Sequence, residues 1–277
     1  MNIFFHRFYL KPKIKLNHLS SIEVREGVFL KSEQAAGVGY TEYFPHPELG
    51  DLGVNNFLES FKQQKHESQK KALYFLKPEW SRLETNPSFF NHQLFREGEK
   101  LESGTIKYKI KDKSDCLLNL PSGIQSIRLD ANGLFNMNSW IQFEKKIPPQ
   151  HWKLIDYIED PLSDEEWQNI KLPTARDFVK GTPFEVNIYK PYREFFPVNS
   201  KRVIFSGNMG HGLSNYQAYL ELLGRGNLKD YHGLLTPDLY ESSFDIFTGS
   251  FRDGFRPEMN SLKKYFEELK DKTWTPL

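Results

Sequence analysis

The sequence predicts an α/β protein in which a small antiparallel module precedes a barrel of parallel strands. Residues 1 to about 45 alternate between apolar and polar positions, as half-buried strands do. From about residue 100, short apolar strands alternate with helical stretches, which favours parallel pairing through right-handed crossovers. Charged residues close several of these strands, and the carboxyl ends of barrel strands meet at one mouth. Together these observations predict a barrel with a polar site at its mouth.

The first module is predicted to span residues 1–95 and to have an α+β fold. Its strands are read from IFFHRFYL, EVREGVFLK and GVGYTEYFP, and its helices from NNFLESFKQQ and QKKALYFLK. Pro78 ends the second helix, because proline cannot continue the backbone hydrogen bonding. Gly37 and Gly39 lie between strands, where a turn is expected, and the third glycine of a dinucleotide-binding motif is missing.

The barrel is predicted to span residues 96–245. Its strands are TIKYK, SIRLDAN, LIDYIEDP, LPTARD, VNIYK, KRVIFSG and HGLLT, and a strand near FNHQLF brings the number to about eight between residues 90 and 236. About 13 residues separate Asp177 from Lys190, so one outer helix is expected to be missing. The tail, MNSLKKYFEELKDKTW, predicts a surface helix, and we expect segment 246–277 to pack back on the first module.

The composition excludes several classes of protein. A chain of 277 residues with a net charge of +1 offers little electrostatic attraction for nucleic acid. The single cysteine, Cys116, excludes an internal disulfide, and its apolar neighbours predict a packing role. No apolar run reaches the roughly 18 residues of a membrane span, and the N-terminal pattern is not that of a signal peptide. We therefore expect a cytoplasmic protein, monomeric or homo-oligomeric, that binds neither nucleic acid nor membranes.

A series of charged residues closes successive barrel strands. In chain order they are Lys107, Lys109, Asp130, Glu159, Asp177 and Lys190. Side chains alternate between the faces of a strand, so the two lysines of TIKYK point the same way, as do Arg128 and Asp130. The recurrence of such charges in order along the chain favours one common site.

Each charge also has an alternative structural explanation. Asp130, Asp160 and Asp164 each suit the capping position of a helix in a loop between strand and helix. Lys107 and Lys109 suit an edge strand, where both side chains would be solvated. The sequence alone leaves capping open for Asp130.

Three carboxylates with lysines beside them suit proton abstraction next to a substrate carboxylate. Oxygen ligands suit Mg²⁺, whereas the zinc motifs HExxH and CxxC are absent. A divalent cation beside a lysine favours the neutral amine, which can accept a proton. A metal that binds the substrate carboxylate acidifies the adjacent C–H and stabilises the enediolate. The residues thus predict a metal-dependent enzyme that acts α to a carboxylate.

These motifs resemble the enolase superfamily, and within it the o-succinylbenzoate synthases. VREGVFLK and GVGYTEYFP are similar to the family's capping domain, IKYK to its paired-lysine motif, and IRLDANG and YIEDPL to two metal-ligand motifs. IYKP is similar to the end of the sixth barrel strand, and IFSGNMGHG to the Ser/Gly turn after the seventh. The resemblance implies a compact modified TIM barrel, (β/α)7β, with a cap over its mouth.

The resemblance also implies a reaction and the residues that carry it out. The reaction is the Mg²⁺-dependent syn-dehydration of 2-succinyl-6-hydroxy-2,4-cyclohexadiene-1-carboxylate to o-succinylbenzoate, a step of menaquinone biosynthesis, with Mn²⁺ as a substitute metal. Lys109 is the implied base and then acid, Lys190 the cationic stabiliser, and Lys107 their support. The implied metal ligands are Asp130, Glu159 and Asp177. The implied substrate-binding residues are Arg128, Asn132, Ser206, Gly207 and Asn208.

The last three of these residues would receive the succinyl chain of the substrate. Free backbone N–H groups ahead of a helix that begins near Ser214 provide a physical reason, since they attract an anion. Asp177 is followed by Phe178, where many relatives have a second acid, and Glu165 or Glu166 would be the substitute ligands.

Two other functions remain open. The first is an N-acylamino acid racemase or dipeptide epimerase, in which Lys109 and Lys190 would act as opposed acid–base groups. The second is a non-catalytic barrel that binds a ligand. The cap loops around residues 17–26 and 43–51 differ in length from familiar examples, so the substrate is less firmly implied than the proton abstraction.

Overall fold

A computed structural model describes most of the chain. The described residues are 1–277 without 14–20, 22, 97, 99, 116–119, 121, 163–165, 178–184, 198–199, 208, 237–238 and 242–245. The predictions for Cys116, Asp164, Glu165 and Asn208 therefore lie outside the described residues, as does most of the crossover between Asp177 and Lys190. Across the described ranges, none of the helices has the length and apolarity needed to span a bilayer.

The first module is an antiparallel sheet covered by two helices. Its strands are β1 (Asn2–Leu10), β2 (Arg25–Gln34) and β3 (Gly37–Tyr43), and its helices are α1 (Val54–Ser60) and α2 (Glu67–Phe75). Short 3-10 helices cover Pro47–Leu49, Phe61–Gln63 and Pro78–Ser81. A Cβ on Gly39 would lie 1.9 Å from the carbonyl oxygen of Leu76, so only glycine fits where β3 passes the end of α2. We call this module the cap.

The second module is a ring of parallel strands. They are β4 (Phe90–Asn91), β5 (Gln93–Leu94), β6 (Thr105–Lys109), β7 (Ser126–Asp130), β8 (Ile155–Glu159), β9 (Thr174–Arg176), β10 (Val186–Tyr189), β11 (Arg202–Phe205) and β12 (Tyr231–His232). The seven strands from β5 to β11 form one sheet in chain order. A parallel bridge between Ser206 and Gly233 joins β11 to β12, which pairs with β4. Since β4 and β5 are halves of one barrel strand, the ring confirms the predicted eight strands.

Few helices surround this ring in the described residues. They are α3 (Met137–Lys146), α4 (Pro149–Trp152), a 3-10 helix at Glu166–Asn169, and α5 (Gly212–Arg225). The cap packs against the barrel at the carboxyl end of β10. There the ammonium of Lys71 on α2 lies 3.2 Å from the Tyr189 hydroxyl, and Phe75 stacks on Tyr192 at 4.7 Å between ring centroids. These contacts place the cap next to Lys190, which directly follows β10.

The C-terminal segment returns to the cap. It contains β13 (Phe247–Ser250), β14 (Gly254–Pro257), α6 (Met259–Lys270) and β15 (Thr275–Pro276), and β15 pairs antiparallel with β1. A continuous apolar core contains Phe29 of the cap, Leu213 of α5 and Leu262 of α6. Cap, barrel and C-terminal helix therefore share one core.

A network of two arginines and two aspartates closes the amino end of the barrel. Arg128 is buried, and its side chain binds Asp156 at 3.0 Å and Asp230 at 3.5 Å. Arg202 binds the same two carboxylates at 2.6 Å each. Asp156 is the second residue of β8, Arg202 is the first residue of β11, and Asp230 directly precedes β12. Arg128 therefore extends away from the end of the barrel at which Asp130 lies.

Replacing Arg128→Met is expected to lower the free energy of unfolding by about 3 kcal/mol, because it removes a buried cation and leaves the partly buried Asp156 and Asp230 with Arg202 as their remaining partner in the network. Urea denaturation measures the change. The control is Lys270→Met, which removes an exposed ion pair to Glu267 on α6 and should cost under about 0.5 kcal/mol. Equal losses in the two variants would contradict a structural role for the network.

Candidate active site

The strand register brings the predicted charges to one level of the barrel mouth. Lys109 on β6 is opposite Asp130 on β7, and Asp130 is opposite Glu159 on β8. Asp177 and Lys190 each follow the last residue of their strands, β9 and β10. Because all these strands are parallel, their carboxyl ends meet at the same end of the barrel.

Four carboxyl groups gather there. Oxygen atoms of Glu159, Asp160 and Asp177 all lie within 4.8 Å of one another. Asp130 joins them through Lys107, whose ammonium is 3.0 Å from Asp130 Oδ2 and 2.8 Å from Glu159 Oε2. These contacts bring together all three predicted metal ligands and add Asp160.

Asp160 was considered from the sequence only as a helix cap. Its φ of 42° places it in the left-handed region, and its Oδ1 accepts a hydrogen bond from the backbone N–H of Asp177 at 3.4 Å. The side chain thus turns towards the loop after β9. In the sequence, the sign that Asp160 could belong to the site was its position directly after Glu159. The strand pattern did not predict that its side chain turns towards the loop after β9.

The three lysines have different surroundings. Lys107 bridges Asp130 and Glu159, and Lys190 forms an ion pair with Asp177. Lys109 is exposed at the mouth and has no hydrogen bond or ion pair with any described residue. A lysine that is held by neither acid nor amide is available to a substrate.

Burial and mutual repulsion dominate the electrostatics of the acids. Burial raises the pKa of Glu159, and the nearby acids Asp130 and Asp177 add to the shift. Burial, with Asp177, also raises the pKa of Asp160 to about 6. Burial acts in the same direction on Asp130, but the charges of the three lysines hold the pKa of that carboxyl below its usual value.

This donor set fits a hard divalent cation. Asp177 Oδ1 is buried and has no hydrogen-bond partner among the described residues. The carboxylate oxygens within 4.8 Å of one another are of the type that Mg²⁺ prefers, and a dication would relieve their repulsion. The side chains present are therefore compatible with the predicted Mg²⁺.

The alternative explanations from the sequence are wrong for Asp130, Lys107 and Lys109. Asp130 does not cap α3, because Asn136 does so by accepting a hydrogen bond from the Ser139 N–H. Lys107 and Lys109 do not lie on an edge strand, since β6 is paired on both sides. Both observations favour a site.

Some predicted substrate-binding residues lie elsewhere or are already engaged. The guanidinium of Arg128 is held in the network at the opposite end of the barrel, so the prediction that it lines the site is wrong. Asn132 is exposed just beyond Asp130, with a φ of 47°.

The expectation of free backbone N–H groups in the turn after β11 is wrong for Ser206 and Gly207, while Asn208 lies outside the described residues. The N–H of Ser206 donates to Tyr189 O at 2.9 Å, and that of Gly207 donates to Gly233 O at 2.8 Å. These bonds continue the strand ladder beyond β11. The helix near Ser214 exists as α5, but Glu42 of the cap accepts the His211 N–H at 2.7 Å just ahead of it. Sequence reasoning missed Glu42, which lies in the Gly-Tyr-Thr-Glu segment of β3.

Comparison with protein families gives one match in the cap and one curated relative. Residues 3–77 match the O-succinylbenzoate synthase N-terminal domain. The chain is 26% identical over 233 residues to an o-succinylbenzoate synthase of Bdellovibrio bacteriovorus, and the alignment covers 69% of each chain.

Comparison with solved structures gives the fold. An o-succinylbenzoate synthase from Thermosynechococcus elongatus BP-1, complexed with Mg in the active site, matches with a TM-score of 0.64 and 16% identity. That match covers 98% of this chain and all of the other. The L-Ala-D/L-Glu epimerase from Bacillus subtilis matches with a TM-score of 0.60 and 12% identity, over 93% and 95% of the two chains. Together, the comparisons show that the chain has the predicted fold, that its cap matches the O-succinylbenzoate synthase N-terminal domain, and that its sequence is similar to a curated o-succinylbenzoate synthase.

Proposed function

We propose that the protein is a Mg²⁺-dependent lyase that dehydrates 2-succinyl-6-hydroxy-2,4-cyclohexadiene-1-carboxylate to o-succinylbenzoate in menaquinone biosynthesis. One observation carries the proposal. Exposed Lys109, for which no hydrogen bond or ion pair is seen among the described residues, lies in register with Asp130 and Glu159, two of the acids that suit the metal. A base next to a metal that binds a carboxylate is the arrangement that abstraction of an α-proton requires.

The metal ligands are proposed to be Asp130, Glu159 and Asp177, with Asp160 beside them. When bound there, Mg²⁺ (or Mn²⁺ as a substitute) supplies positive charge that acidifies the substrate's α-proton and stabilises the negative charge left behind. Lys107 contributes fixed positive charge between Asp130 and Glu159. Asp160 holds the backbone of Asp177 and so orients that ligand.

Lys109 is proposed to act twice on one face of the substrate's cyclohexadiene ring. Its amine takes the proton from the carbon that bears the carboxylate. It then gives that proton to the departing hydroxyl, so the C–O bond breaks, water leaves and the ring becomes aromatic. Because one lysine serves both steps, the elimination is syn.

Lys190 is proposed to be a stabilising cation rather than a second base. Its ammonium is paired with Asp177, whereas Lys109 has no partner in the described parts of the chain. This difference favours dehydration, which uses one base. Racemisation needs two opposed groups, each able to remove the α-proton from its own face of the substrate and to return it. The epimerase remains the second candidate because it shares the fold.

Two assays on the purified protein with Mg²⁺ separate the candidates. The first follows the loss of diene absorbance from the hydroxy acid, and the second follows deuterium exchange at the α-carbon of N-acylamino acids and dipeptides. We expect rapid loss of absorbance and no comparable exchange. Exchange of amino-acid derivatives without any dehydration would favour the epimerase, and neither activity would favour a non-catalytic barrel.

A further inference from the structure

Glu42 joins the cap to the loop that follows β11. The residue lies near the end of β3, its side chain is 1% exposed, and its Oε1 accepts the His211 N–H at 2.7 Å. A Cβ on Gly210 would lie 2.5 Å from the same oxygen, so the loop has glycine where the carboxylate passes. The contact connects residues that are 169 positions apart in the chain.

In the loop 206–211, hydrogen bonds hold the described residues Ser206, Gly207, Met209 and His211. Its first residues are tied into the strand ladder by hydrogen bonds to Tyr189 and Gly233. Its last residue is held twice, by Glu42 at the backbone and by Tyr265 at the ring, where Nδ1 lies 2.7 Å from the hydroxyl. Between these ends, the Met209 carbonyl accepts a hydrogen bond from Tyr240.

No described cation pairs with Glu42. Instead, the carboxylate lies at the start of α5, where the helix dipole favours negative charge. Burial raises the pKa of Glu42 to about 7, although hydrogen bonds from the start of α5 act to lower it. A buried acid of this kind destabilises the fold when it ionises, so its presence suggests a role other than stability.

We infer that Glu42 is a positioning residue: through its carboxylate, the cap fixes the backbone at Gly210 and His211, at the end of the turn after β11, and so orients that turn towards the substrate. The inference rests on the proposed function and on the role that the resemblance implies for this turn, which is to receive the succinyl chain of the substrate. It does not depend on the N–H groups of Ser206 and Gly207, which are already engaged in the strand ladder. Glu42 itself need not touch the substrate. It acts through the His211 backbone and through its close packing on Gly210.

The test compares three variants with a matched control. Glu42→Ala removes the acceptor, Glu42→Gln keeps an acceptor oxygen, and Gly210→Ala pushes a methyl group against the carboxylate. Thr41→Val is the control, because Thr41 also links cap to barrel, donating to Gln217 on α5 at 3.0 Å, but does not contact the loop. The measurements are kcat and KM for dehydration, together with hydrogen exchange over residues 206–211.

Glu42→Ala and Gly210→Ala are expected to raise KM about 10-fold, with kcat changed less than about 3-fold. Both should speed exchange in the loop, whereas Glu42→Gln should restore most of the affinity. Thr41→Val should lower the melting temperature and leave KM unchanged. A folded Glu42→Ala variant with normal KM and normal loop exchange would overturn the inference, as would an equal rise in KM for Thr41→Val.

The exchange measurement separates this inference from the proposed function. If the wild type does not dehydrate the hydroxy acid, the proposed function fails, and loop exchange in the variants still decides whether Glu42 fixes the loop. If dehydration is normal and Glu42→Ala changes neither KM nor exchange, only the positioning role fails.

A pH series provides an independent measurement. The pKa of Glu42 rises from 4.5 to about 7 on folding, so the folded state binds the extra proton and the wild type loses stability as the pH rises from about 5 to about 8. Glu42→Gln cannot ionise, so its melting temperature should gain on that of the wild type across this range. The titratable groups facing Glu42 stay neutral there: the pKa values of Tyr192, Tyr240 and Tyr265 are raised, and that of His211 is lowered to about 4. Parallel melting curves at all pH values would contradict a buried, ionising Glu42.

Discussion

Replacing Lys109→Ala is expected to reduce kcat for dehydration by about 1,000-fold or more. The amine is proposed to remove the α-proton and to protonate the leaving hydroxyl, and general acid–base groups contribute about 100- to 10,000-fold each. The fold should be unchanged and Mg²⁺ affinity should change little, because Lys109 is exposed and forms no hydrogen bond or ion pair with a described residue. Steady-state kinetics and calorimetric titration with Mg²⁺ measure the two quantities.

The control for this prediction is Lys111→Ala, two residues further along and also exposed. It removes the same charge from the same region of the barrel but follows β6 rather than ending it. Near-normal turnover is expected. If Lys109→Ala retained activity within tenfold of the wild type, another group would have to be the base.

Replacing Glu159→Gln is expected to weaken Mg²⁺ binding at least about 100-fold, since even residues that only support a metal ligand often cost 10- to 100-fold. Glu159 is central to the site: it lies with Asp160 and Asp177 in the carboxylate group and shares Lys107 with Asp130. Titration with Mg²⁺, or with Mn²⁺ followed by electron paramagnetic resonance, measures binding without reference to activity.

The matched control removes a carboxylate that lies away from the mouth. Glu102 is exposed and precedes β6, so Glu102→Gln should bind Mg²⁺ as the wild type does. Asp160→Asn distinguishes a ligand from a support: a loss as large as that of Glu159→Gln would make Asp160 a ligand in its own right. Normal Mg²⁺ affinity in Glu159→Gln would contradict the proposed metal site.

The parts of the site that lie at strand ends could be predicted from local sequence. Asp130 and Glu159 each end an apolar strand, and residue alternation places Lys107 and Lys109 on one face. Parallel pairing of the strands then predicts that these residues lie at the same end of the barrel. The repeated strands and crossovers predicted the barrel for the same reason.

The remaining features depend on contacts that the local pattern does not encode. Alternation correctly placed Arg128 and Asp130 on one face, but it does not say towards which end of the barrel a long side chain extends. Ser206 and Gly207 looked like a free turn because their hydrogen-bond acceptors, Tyr189 and Gly233, lie on other strands. Glu42 contacts the start of α5 across 169 positions of the chain, so local sequence does not predict the contact.

The measurement that most directly tests the central claim is turnover of the diene hydroxy acid by one preparation of wild-type protein in three states. The protein is assayed with Mg²⁺, after removal of the metal by a chelator, and after Mg²⁺ is returned. We predict dehydration to o-succinylbenzoate in the first state, its loss in the second and its recovery in the third. Dehydration that is indifferent to the metal, or absent in all three states from a folded protein that binds Mg²⁺, would contradict a Mg²⁺-dependent o-succinylbenzoate-forming lyase.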